Sequence, residues 1–239
     1  MRAAHQGLNV HFRVLARRSR VAAGVALALA VVGLCAWLFA INWRPRPADF
    51  PVQGVDVSEV QGPIEWWTVK KSDARFAYIQ ATTGANHTDL RFPENWRGTF
   101  EAGIRRGALH VFSLCQLAAD QAGNFVSIVP RSDDQLPAAI DLDFHSDCAA
   151  RPERDVVIGE VGRFVAAIET HLGEHAVLRV SKRFEAQYRI SDAFPRLLWS
   201  QQAFFPPHYF ARPWTIWQAT GFRRIEGISG PVNWNVMAR

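Results

Sequence analysis

Two aspartates, Asp141 and Asp143, close an apolar run that begins at Leu136 and ends at Phe144. Read as a short buried strand, this run puts Asp141 and Asp143 on one face and Ile140, Leu142 and Phe144 on the other. The two Cα atoms would then lie about 6.5 Å apart. Like charges at that spacing disfavour each other's ionised form, which is one way to keep a carboxylic acid protonated near neutral pH. A pair of solvated aspartates at a loop edge is the competing use of such a motif. The abrupt change from apolar strand to paired acids favours a site for general acid–base chemistry.

Other polar residues close apolar runs in the same way: Asp56 and Ser58, Gln80 and Thr83, His110, Gln218 and Thr220, and Asn233 and Asn235. Carboxylates among amides, with one histidine and many aromatics, suit a carbohydrate site where two acids flank the bond to be cut. Trp66, Trp67, Tyr78, Trp96, Trp199, Trp214, Trp217 and Trp234 offer faces for sugar stacking, and core packing competes for each of them. No metal is expected, because His87, His110, His145, His171, His175 and His208 show no ligand spacing. His171 and His175 are four apart, but Gly173 between them stops the helix that would align them. There is neither a G-x-S-x-G elbow nor a glycine-rich phosphate loop. No cofactor is expected.

Strands and helices alternate around these residues. Strands are expected at Val52–Val57, Phe76–Thr82, Leu109–Leu114, Leu136–Phe144, Ala176–Val180, Arg196–Trp199, Trp214–Thr220 and Val232–Met237. Helices are expected at Ile64–Lys71, Asn95–Arg106, Ala118–Val129, Arg154–Leu172 and, weakly, Phe184–Arg189. About eight strands, with well-formed helices only in the first two thirds, predict a parallel α/β barrel whose last turns are stripped down; a doubly wound open sheet is the alternative. In a barrel the strand ends gathered above would share one rim.

The first 47 residues differ from the rest. They carry seven arginines and no acid, so the remainder holds twenty basic against 22 acidic residues. The basic balance therefore belongs to the N-terminus, and no nucleic-acid partner is expected. Residues 21–41 hold no charge and no proline, and as a helix they would span roughly 30 Å, a bilayer core. Residues 1–20 form a basic tail, which places the N-terminus in the cytoplasm. A cleaved signal peptide is the rival reading, but the apolar run is too long and lacks a small-x-small exit. The favoured organisation is a basic tail (1–20), a transmembrane signal anchor (21–41), a proline-rich linker (42–51) and an exported domain (52–239). That domain would lie outside the inner (cytoplasmic) membrane, crossed once. Cys35 falls in the span; Cys115 and Cys148 could pair in an oxidising compartment or remain two buried thiols.

Five stretches of the exported part carry a family resemblance. They are Gly54 to Gly62 followed by Ile64 to Trp66; Phe76 to Gly84 with Asp89, Phe92 and Asn95 beyond it; Ala102 to Phe112; Leu136 to Asp143; and Trp214 to Thr220 with Gly227 to Asn235. In this order, over about residues 52–239, they resemble the family 25 glycoside hydrolases, the Chalaropsis-type lysozymes. The resemblance implies a TIM-like barrel of eight strands with about five helices, and cleavage of peptidoglycan after N-acetylmuramic acid. It implies catalytic roles for Asp56, Asp141 and Asp143, with Tyr78, Gln80, Thr83, His110, Trp217, Gln218 and Asn233 binding substrate. Gln80 and Thr83 stand where the family usually has Lys and Glu, Asp143 where it has Glu, and Asn233 where it has Asp. The alternative function is a peptidoglycan-binding module that has lost turnover.

Overall fold

The alternating pattern closes into a barrel in the computed structural model, which describes residues 2–146 and 148–239, with side chains from residue 20 onward. Two compact units result, one ending at Asn42 and one running from Trp43 to Arg239. The first is the helix α1 (Arg2–Asn42). Its segment Arg20–Asn42 is long and apolar enough to cross a membrane, as a membrane span or a signal anchor would be.

The second unit runs β1 (Gln53–Val57), α2 (Trp66–Lys71), β2 (Phe76–Thr83), β3 (His87–Thr88), α3 (Phe92–Glu101), β4 (Arg105–Val111), α4 (Ala118–Ile128) and β5 (Ala139–Leu142). It continues with α5 (Arg154–Leu172), β6 (Val177–Ser181), α6 (Lys182–Tyr188), α7 (Ile190–Ala193), β7 (Leu197–Gln201), β8 (Ile216–Arg223) and β9 (Val232–Met237). Pairing in the order β1-β9-β8-β7-β6-β5-β4-β2, with β2 returning to β1, closes eight strands; β3 is a short ribbon on the end of β2. Closure brings β1 and β2 so near that a Cβ on Gly54 would lie 2.2 Å from the carbonyl oxygen of Phe76, so only glycine fits.

Two expectations need correction. The barrel is not wholly parallel: β9 runs antiparallel to both β8 and β1. Only residues 224–231 join β8 to β9, too few for the crossover that a parallel neighbour requires. The third helix covers Phe92–Glu101 rather than Asn95–Arg106. Pro93 suits its first turn, and Gly103 at φ 65° ends it, which frees Arg105 onward for β4.

Alternation along each strand divides the core. Phe76, Tyr78, Leu109, Val111, Ala139, Val177, Trp199 and Ile216 fill the barrel interior. The opposite faces pack outward beneath α2–α6, where Phe125, Phe164, Val161, Ile168 and Phe184 are buried. Cys115 and Cys148 are bonded, which settles the open question of their pairing and ties the segment after β4 to the one after β5.

Candidate active site

Three strands bring charge to one rim. Asp56 is inward on β1, Asp141 inward on β5, and Arg179 inward on β6, each less than one-tenth exposed. Arg179 Nη2 lies 3.5 Å from Asp56 Oδ2, and its Nη1 lies 3.5 Å from Asp141 Oδ2. One guanidinium therefore spans both carboxylates, which keeps them within roughly 9 Å of each other.

Amides hold the same groups. Asn233 Nδ2 donates to Asp56 Oδ2 at 2.8 Å, and Asn235 Nδ2 donates to Asp56 Oδ1 at 2.7 Å. Gln218 accepts from Arg179 Nη2 at 2.5 Å and donates to Asn233 at 3.1 Å. Gln201 Nε2 donates to Asp141 Oδ1, and the Gln201 backbone N–H is held by the Tyr209 hydroxyl at 3.0 Å. Beside Asp56 a cavity of about 130 Å³ is lined by Ser58, Gln61, Gln80, Arg179 and Asn233.

Burial raises the pKa of Asp141. Arg179 and then His145, whose Nε2 is 3.7 Å from Asp141 Oδ2, oppose that rise, while the charges of Asp143 and Asp56 add to it. Burial works against the charge on Arg179, but Asp141 and Asp56 outweigh it and its pKa is raised.

Asp143 sits one residue past β5 and is four-fifths buried. Its Oδ1 accepts from Ser181 Oγ at 2.5 Å, from the Phe144 backbone N–H at 2.7 Å and from Arg183 Nη2 at 3.4 Å. Ser181 also caps α6 by accepting from Phe184 N, so the helix start and the carboxyl are fixed by one hydroxyl. Among the described residues all three donors converge on Oδ1. A proton on this carboxyl accordingly belongs on Oδ2.

Of the expected substrate-binding residues, Gln80, Gln218 and Asn233 join this cluster. Thr83 stands at the end of β2, half-buried, and accepts from Gln80 at 3.3 Å. Three others do not reach the cleft. His110 points outward from β4, fully buried between Thr82, Gln121 and the stacked ring of Phe164, and burial lowers its pKa to about 3. Trp217 points outward from β8 against Trp43, Phe50 and Trp214. Tyr78 faces inward but lies under Trp199, with its hydroxyl given to the Pro137 carbonyl; burial raises its pKa. The tryptophans read as stacking faces are mostly packed, and among them Trp67 is the one with a large exposed surface.

Arg179, Gln201, Ser181 and His145 were not expected here. Arg179 carried a signal, since a lone arginine within Ala176–Val180 is an inward or outward charge in an otherwise apolar strand. Among the described residues no group of three or more His, Cys, Asp or Glu is placed to hold a metal ion.

A closed eight-stranded barrel with carboxylates and amides crowded at one rim has the layout of a carbohydrate-cleaving enzyme. Known proteins narrow that class. The family model described as Glycosyl hydrolases family 25 matches residues 55–228. Lysozyme M1 of Streptomyces globisporus is 32% identical over 217 residues, covering 79% of this chain and 69% of that protein. The structure of a family 25 glycosyl hydrolase from Bacillus anthracis superposes with a TM-score of 0.76 at 29% identity, covering 82% of this chain and 92% of that one. A bacterial lysozyme from Streptomyces coelicolor gives a TM-score of 0.71 at 29% identity, covering 78% and 91%. The chain belongs to glycosyl hydrolases family 25. It is a lysozyme-like glycoside hydrolase whose substrate is peptidoglycan.

Proposed function

We propose that Asp143 is the general acid that protonates the glycosidic oxygen between N-acetylmuramic acid and N-acetylglucosamine. The observation that carries this reading is the capture of Asp143 Oδ1 by three donors, which leaves Oδ2 to bear the proton. Asp141 steadies the acetamido group of the sugar as its carbonyl oxygen attacks the anomeric carbon. Asp56, fixed by Asn233 and Asn235, stabilises the positive charge that develops at that carbon. Water then opens the intermediate and returns the proton to Asp143. Gln80, Thr83, Gln218 and Asn233 line the approach.

The Arg-rich N-terminus stays in the cytoplasm, residues 21–41 cross the cytoplasmic membrane as an uncleaved anchor, and the barrel works on the outer side. The apolar helix and the absence of acids before it support this arrangement. Residues 1–20 are a basic tail, and the basic balance of the chain serves orientation rather than nucleic-acid binding. Nothing in the fold or the comparisons favours a module that binds glycan without cutting it.

The test is digestion of purified sacculi by the detergent-solubilised full chain, with mass analysis of released muropeptides. Fragments ending in reducing N-acetylmuramic acid are expected. Asp143→Asn is expected to lower release by about 10²–10⁴-fold while glycan binding persists. Asp143→Glu, with a longer reach, keeps or raises it. Release unchanged in Asp143→Asn would place the acid elsewhere.

A further inference from the structure

We propose that Arg179 is a positioning residue that holds Asp56 and Asp141 ionised as a pair, by placing one shared cation between them. The proposal rests on the roles given above to these carboxyls.

Arg179 sits midway between two acids contributed by strands on either side of the barrel interior. Two buried carboxylates with no cation between them cannot both stay charged, because each disfavours the other and neither is well solvated. The placement is costly for the arginine itself. Its Nε is buried with no hydrogen-bond partner among the described residues, and both carboxylates lie beyond the 2.7–2.9 Å or so of a direct charge-assisted bond. Its one close partner in the cleft is Gln218, and its guanidinium lies 5.0 Å from the Trp199 ring centroid.

A residue needed only to fill space here would be apolar, as Val177 is two positions earlier on the same strand. The geometry is that of a charge shared between two acids rather than a salt bridge optimised for either. Other charged or titratable groups facing the trio are His145 and Asp143 from the segment after β5, Arg183 from α6 and Tyr209 from the segment before β8. Arg183 is 70% exposed, so Arg179 is the cation that acts across low dielectric.

The test reads ionisation directly, so it does not depend on turnover. The full chain, labelled with carboxyl-¹³C aspartate in detergent, is titrated by NMR, with Asp56→Asn and Asp141→Asn assigning the two signals. In Arg179→Gln the midpoint of Asp56 or Asp141 is expected to rise by about one pH unit or more, a ten-fold change in proton affinity. Arg179→Lys, which restores the charge at one point, is expected to give a smaller rise. Where muropeptide release is measurable, its acid limb moves to higher pH in the same order. Midpoints that stay at their wild-type values in a folded Arg179→Gln protein would overturn the proposal. If that variant does not fold, unmoved midpoints in a folded Arg179→Met protein, uncharged and similar in length, would do the same. An inactive wild type with shifting midpoints would instead count against the roles of the acids and leave the pairing by Arg179 standing.

Discussion

Outside β4, β5 and β6 the barrel is covered by α4 and α5, whose Phe125 and Phe164 close around His110. Among the described residues of the second unit, irregular chain rather than a helix covers β8 at Trp217. Trp217 is covered there by Trp43, Phe50 and Trp214, and the guanidinium groups of Arg44 and Arg223 both lie over the Trp234 ring. A helix satisfies its own backbone and needs only an apolar stripe, whereas an irregular segment must be pinned by side chains. Gln53 does so by giving Nε2 to the carbonyls of Pro45 and Phe50 while accepting from Trp234 Nε1 at 2.7 Å. The proline-rich stretch before β1 is thus part of this wall. The two sides also differ in chemistry: β5 and β6 supply the charges of Asp141 and Arg179, and β8 and β9 supply the amides Gln218, Asn233 and Asn235.

That contrast can be tested. Trp217→Ala and Phe164→Ala, one on each wall, are each expected to cost roughly 3–5 kcal/mol by denaturant titration. Only Trp217→Ala is expected to slow muropeptide release at a temperature where both remain folded, because its neighbour Gln218 holds Arg179 and Asn233. Equal slowing in both would erase the division of labour. A smaller loss, about 1–3 kcal/mol, is expected for Trp43→Ala, whose ring is only partly buried. Unchanged stability there would mean that the irregular cover is dispensable.

The third test concerns acid. His110 on the covered wall has its pKa lowered to about 3 by burial, so below about 6.5 the unfolded chain takes up a proton that the folded chain refuses. Its contribution to stability is complete above that pH and falls by up to about 1.4 kcal/mol per pH unit as pH drops from 6.5 towards 3. His110→Gln, which keeps polar partners for Thr82 and Gln121, is expected to flatten that part of the curve. An identical slope in the variant would refute the assignment.

The comparison also explains what the sequence made legible. Asp56 follows an apolar residue near the C-terminal end of β1, and its place at the rim follows from topology alone; Asn233 is the second residue of β9 and reaches that rim only because β9 is antiparallel. His110 and Trp217 were misplaced because strands buried on both faces carry no polar alternation to fix which side chain looks in. Nothing in the order Leu109, His110, Val111 says that the histidine points out. Tyr78 has the expected parity but the wrong depth, since its ring lies beneath Trp199. Arg179 stands among apolar neighbours in Val177–Val180, and nothing in that order tells which face of the strand its charge takes. Cover for β8 and β9 from residues 43–52 was invisible, as it depends on contacts nearly two hundred residues apart. The reversal of β9, by contrast, could have been anticipated from the short connection before it.

The Cys115–Cys148 bond closes a ring of chain through the rim beside Asp143. Phe144 and His145 lie on the stretch between β5 and Cys148, and Arg151 follows just beyond, its guanidinium over the Phe144 ring. In a reducing compartment the two cysteines stay thiols and this stretch is joined to the chain only through its own ends. In an oxidising compartment the bond forms and ties that side of the cleft covalently to the segment after β4.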